Sequence, residues 1–112
     1  MRFAVALLPL IWILPLPASA NTGNDLYRLC GAYVGEPDPN RQAEIGLCLG
    51  YVRGAGDAFN AMGQFCLPAQ STVDQWVAVI YRWMEQHPER RHESQLDIVR
   101  TALSEAFPCP QQ

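Results

Sequence analysis

The sequence predicts an all-α domain of four helices, small and stapled by disulfides. Three observations predict it. Gly and Pro cut the chain after residue 20 into four segments, and in each the apolar residues recur at helical spacing. The four cysteines, Cys30, Cys48, Cys66 and Cys109, are an even number in a short chain that opens like an exported protein. No repeat, low-complexity run or linker divides that stretch, and its 92 residues suffice for one small domain but not two.

Residues 1–20 read as a secretory signal peptide: Arg2, an apolar run from Phe3 to Leu16, then small residues that suit cleavage after Ala20. A membrane span needs about 20 apolar residues, and this run is shorter, with Pro9 and Pro15 interrupting it. The expected division is therefore a leader over 1–20 and a helical domain over 21–112, placed in the periplasm of a Gram-negative bacterium.

The first helix is expected from Asp25 to Val34, capped by Asn24 and stopped by Gly35, with Leu26, Leu29, Cys30, Tyr33 and Val34 on one face. The second follows Glu36-Pro37-Asp38-Pro39, with Asp38 as cap and Pro39 in the first turn. Its apolar face is Ile45, Cys48, Leu49, Val52, Ala55 and Phe59, and it ends near Gly63. Gly46, Gly50 and Gly54 recur every fourth residue along it. Each costs roughly 0.5–1 kcal/mol against alanine inside a helix, which predicts that another backbone packs closely along that row.

Thr72 with Gln75 forms a capping-box pattern that opens the third helix. Val73, Trp76, Val77, Ile80, Trp83 and Met84 supply its core stripe, while Val79 and Tyr81 fall outside it and suggest a second contact surface. Pro88 disfavours helix at His87, so this helix ends there. The fourth carries Leu96, Val99, Leu103 and Ala106 and stops before Pro108. The stretch HPERRHE, residues 87–93, thus joins two helices and reads as a corner, although its residue types suit metal binding or proton transfer.

The cysteines allow three connectivities. An antiparallel hairpin of the third and fourth helices would set Cys66, just before one, beside Cys109, just after the other. Cys30 then pairs with Cys48 and staples the first helix to the second.

Other chemistry finds little support. The cysteines are too far apart for a zinc site and HExxH is absent; His87 and His92 at i, i+5 face different ways on a helix. No serine or threonine stands in a nucleophile elbow, and Arg53 with Asp57 suits a surface ion pair. No enzyme activity, metal or cofactor is expected. With Arg2 removed, seven arginines face eleven acidic groups, a net charge of −4, and lysine is absent. That balance disfavours nucleic acid and anionic membranes as partners and leaves a protein that works by binding another protein.

The segments CLGYVRGAGDAF at 48–59, FCLP at 65–68, TVDQW at 72–76 and HPERRHESQLDIVRTALSEAFPC at 87–109 resemble the Rap/Tai immunity proteins. The resemblance covers about residues 24–109, and the four cysteines fall where that family's pattern puts them. It implies an all-helical, disulfide-linked domain, often a homodimer, that neutralises a peptidoglycan amidase toxin delivered by type VI secretion by occluding its active-site cleft. The resemblance transfers no set of inhibitory residues. The polar helix ends are the expected contact surfaces: Glu36, Asp38 and Asn40 in one loop, and Glu85, Glu89 and Arg90 at the corner. The alternative is a general periplasmic stress or chaperone-like protein without a toxin partner.

Overall fold

The computed structural model describes residues 2–4 and 21–111. Apart from positions 2–4, the expected leader over residues 1–20 lies outside the described residues, as does Gln112.

Helix α1 (Gly23–Gly31) begins earlier than Asn24 would allow, because Thr22 is its N-cap. The Asp25 carboxylate accepts from the Thr22 backbone N–H at 2.9 Å and from its hydroxyl at 3.3 Å. Gly23 fits only as glycine: a Cβ there would lie 2.0 Å from Ile98 Cδ1 and 2.8 Å from the Arg91 carbonyl oxygen. After Gly31 the chain makes one more turn, with Val34 N–H bonded to the Cys30 carbonyl at 3.0 Å, before Gly35 reverses it at φ 83°.

Helix α2 (Gln42–Ala61) starts at the cap Arg41, not at Asp38. The Asp38 carboxylate is occupied by the Asn40 N–H at 2.9 Å, an Asx turn that competes with helix, and the Asp38 carbonyl accepts from Arg41 N–H at 3.1 Å. The far end closes as a Schellman motif: Gln64 N–H reaches the Phe59 carbonyl at 3.0 Å, Gly63 N–H reaches Asn60 at 3.1 Å, and Gly63 takes φ 73°.

Helix α3 (Val73–Gln86) opens with the expected capping box, Thr72 N–H to Gln75 Oε1 at 2.9 Å and Gln75 N–H to Thr72 Oγ1 at 3.3 Å. Helix α4 (Gln95–Ala106) is capped by Ser94, whose hydroxyl accepts from Leu96 N–H. Leu96 and Ala106 are exposed and not part of its core stripe; the buried set is Gln95, Ile98, Val99, Ala102 and Leu103, an i, i+3, i+4, i+7, i+8 face.

The four helices enclose one core, in which Leu26, Cys48, Val52, Phe65, Ile80, Met84, Ile98 and Leu103 are fully buried. Helix α1 runs antiparallel to α3: Asn24 lies by Arg91, Tyr27 stacks on Tyr81 at 4.7 Å, and Tyr33 donates to Asp74 at 2.5 Å. Tyr81 is thereby part of the internal packing, and its hydroxyl beside Tyr27, with burial, is pushed up to about 12. Both expected disulfides are present, Cys30–Cys48 within the core and Cys66–Cys109 across the open end of the α3–α4 hairpin. A backbone bond from Cys66 N–H to the Phe107 carbonyl, 2.9 Å, runs beside the second bridge.

The glycine row behaves differently from the expectation. Gly46, Gly50 and Gly54 are exposed, and beyond its own helical turn a Cβ at any of them would meet nothing within 4 Å among the described residues. The close approach on α2 is at Gly56, which faces the indole of Trp76.

Candidate functional site

The corner between α3 and α4 is a braced structure. Pro88 lacks an N–H and cannot continue α3, so Pro88–Arg90 tighten into a 3-10 turn. The His87 ring stacks on Trp83 at 4.2 Å between centroids, and its Nδ1 lies 2.7 Å from the Trp83 carbonyl oxygen. A carbonyl only accepts, so Nδ1 carries the proton of that bond. Arg90 forms a two-point pair with Glu93, at 2.7 and 3.1 Å, while its guanidinium lies 4.9 Å from the centre of a Trp83 ring. The pair holds the Glu93 carboxyl below the usual carboxylate range and pushes Arg90 up. Arg91 bonds the Met84 carbonyl at 2.8 Å and lies over the Tyr27 ring at 3.9 Å.

The start of α1 latches onto the same corner. Gly23 N–H bonds the Glu93 carbonyl at 2.8 Å, Asn24 N–H bonds Arg91 at 2.7 Å, and Thr22 bridges to Ser94 in antiparallel fashion. The arginines and Glu93 are thus consumed in building the turn. What the corner offers outward is Glu85, Glu89 and His92, all exposed. Arg90, expected among the contact residues, is half-buried and committed to Glu93 and Trp83.

The second expected surface, Glu36, Asp38 and Asn40, lies beyond the end of α1. Glu36 and Asn40 are exposed, while Asp38 is half-buried and engaged in the Asx turn. Next to it Arg41 pairs with Glu44, donates to the Arg28 carbonyl at 2.9 Å, and holds Glu44 below its ordinary value. This loop sits at the N-terminal end of α3 and the corner at its C-terminal end. The 14 residues of α3 put roughly 20 Å between them. The two surfaces are not one site.

A third feature has only a faint trace in the sequence. Along α3, beside the last turn of α4, runs a groove of about 800 Å³ with an apolar floor of Ala78, Val79, Ala102 and Ala106. Val79, left over from the core stripe of α3, is its signal in the sequence.

The described residues thus form a helical domain closed by two disulfides whose corners are rigid polar turns. The chain belongs to the Rap1a immunity proteins, whose family model matches residues 22–109. Immunity proteins act against a toxin by binding it and are generally non-enzymatic. No curated protein matches the chain. No helix among the described residues is long and apolar enough to cross a membrane.

Proposed function

We propose that this chain is a periplasmic immunity protein that binds a peptidoglycan amidase toxin of type VI secretion and blocks its active-site cleft with the α3–α4 corner. The observation that carries the choice of surface is the bracing of that corner. Its backbone is fixed by Pro88, the Arg90–Glu93 pair and the latch from α1, so little ordering entropy is lost when it enters a cleft. Its tip presents the carboxylates of Glu85 and Glu89 to a cleft of opposite sign.

A leader over residues 1–20, as the sequence pattern suggests, supports export to the compartment where the toxin acts, and disulfides persist there. Homodimerisation through α2 fits this reading. The exposed face of that helix joins Leu47 and Met62, 60% and 67% exposed, to the bare backbone of Gly46, Gly50 and Gly54. The Arg53–Asp57 pair at 3.7 Å can exchange partners across a two-fold axis.

The test is co-expression with a candidate amidase toxin exported to the periplasm. Cells survive when the immunity protein keeps its leader and lyse when residues 1–20 are deleted; survival without the leader, or lysis in both cases, counts against the proposal. A general stress or chaperone-like protein is the second reading, favoured by the exposed Leu47, Met62 and Leu96. Suppression of aggregation of unrelated proteins, with no toxin protection, would support it instead.

A further inference from the structure

We propose that the groove between α3 and the last turn of α4 is a docking site for an apolar peptide segment of a protein partner that carries one Asp or Glu, with Arg82 holding its carboxylate. The proposal concerns a surface distinct from the tip of the corner and does not depend on the partner being a toxin.

Arg82 carries the argument. Within residues 21–111 every other arginine is engaged. Arg28 and Arg41 meet Glu44, Arg53 meets Asp57, Arg90 meets Glu93, and Arg100 meets Asp97. Arg91 holds the Met84 carbonyl and covers Tyr27. Arg82 has no such partner among the described residues, yet it lines a groove whose floor is apolar. In a chain with more carboxylates than guanidinium groups, a cation left over in an apolar trough suits an anion arriving from outside. Glu105 also lines the groove, but it makes no ion pair with Arg82 among the described residues, and its Oε2 accepts from the Trp83 indole N–H at 2.9 Å.

The rim decides what sort of carboxylate. Gln70, Gln75 and Gln86 stand along the groove, all exposed. A primary amide donates and accepts, as a peptide backbone requires and a fatty-acid chain does not. Small lining residues, Ala78 and Ala106, leave room for the side chains of an extended or helical segment, and Phe107 adds an aromatic ring to the lining.

The test uses peptides selected from a random library on the full, folded and oxidised chain. Selected peptides are expected to carry an acidic residue bracketed by apolar ones. Changing that residue to its amide should weaken binding about tenfold, and Arg82→Glu or Ala106→Trp should weaken it by at least as much. Both positions are exposed, so thermal melts should stay at the wild-type value, and Leu47→Glu on α2 should leave peptide binding unchanged. Recovery of binding to Arg82→Glu by a peptide with Arg in place of its acid would support the assignment further. Binders indifferent to both Arg82→Glu and Ala106→Trp, no binders at all, or binding of a long-chain fatty acid with no peptide binding would overturn it.

Discussion

Gly56 on α2 presents its backbone to the face of the Trp76 indole: a Cβ added there would lie 3.0 Å from Cε3 and 3.1 Å from Cζ3. Trp76 has little freedom to retreat, being 7% exposed and tied through its indole N–H to the Ser71 hydroxyl at 2.9 Å. Gly56→Val should therefore destabilise the protein by about 1–3 kcal/mol through overpacking. Gly54→Ala, whose Cβ would meet nothing within 4 Å among the described residues beyond its own helical turn, should stabilise the isolated chain by about 0.5–1 kcal/mol. Urea unfolding curves of the two variants check both signs. A loss at Gly54→Ala that appears only at high protein concentration would locate a second copy on that face.

The two disulfides should respond differently to reductant. Cys30 and Cys48 are 1% and 0% exposed, whereas Cys66 is exposed and Cys109 half-buried at the mouth of the hairpin. A thiolate must reach the sulfur it attacks. Mass mapping after graded reduction and alkylation should find Cys66 and Cys109 labelled while Cys30 and Cys48 remain bridged. Loop lengths of 18 and 43 residues give losses of about 3 and about 4 kcal/mol on replacing the pairs by serine, on the chain-entropy account. Equal labelling of all four cysteines at every step would contradict the difference in access.

Much of this architecture was legible because its signals are local. The Thr72–Gln75 box and Pro88 bound α3 by their own chemistry, and the hairpin they imply brings Cys66 to Cys109. The misses share a cause, which is competition settled at longer range. Asp38 suits an N-cap, but Asn40 takes its carboxylate first. Leu96 and Ile98 are equally apolar, and only the placement of α1 and α3 turns Ile98 inward, against Gly23. The glycine row could not reveal that nothing among the described residues packs closely on it. Arg82 stands out only after every other arginine has found its partner in three dimensions.

The Arg90–Glu93 pair makes the corner sensitive to acid. Arg90 holds the Glu93 carboxyl below its ordinary value, so the folded state binds that proton less readily than the unfolded chain does. Its contribution is present above the unfolded carboxylate value and lost as the pH falls through the lower, folded one. Glu93→Gln should therefore reduce stability slightly at neutral pH, with the gap to wild type closing in acid. Both side chains are partly solvent-exposed, so the gap should also shrink in high salt. Thermal melts across a pH series read this directly; a gap that widens in acid would reverse the sign assigned to Glu93.

Because α3 separates the two polar ends by roughly 20 Å, a cleft-blocking role can be assigned to one end by charge reversal. Glu85→Arg and Glu89→Arg alter exposed carboxylates at the corner tip and touch none of its bracing bonds. Each should weaken toxin binding by about 2 kcal/mol, roughly thirtyfold, with melting temperature unchanged. Glu36→Arg, an exposed change at the far end, should leave binding within a fewfold of wild type. Arg90→Ala serves as the control for bracing: it should weaken binding and lower the melting temperature together, since it frees Glu93 and uncovers Trp83. Calorimetric titration of each variant against a purified, catalytically dead toxin separates these cases. Loss at Glu36→Arg with full affinity at Glu85→Arg and Glu89→Arg would move the inhibitory contact to the α1–α2 loop, and the bracing of the corner would then serve the fold alone.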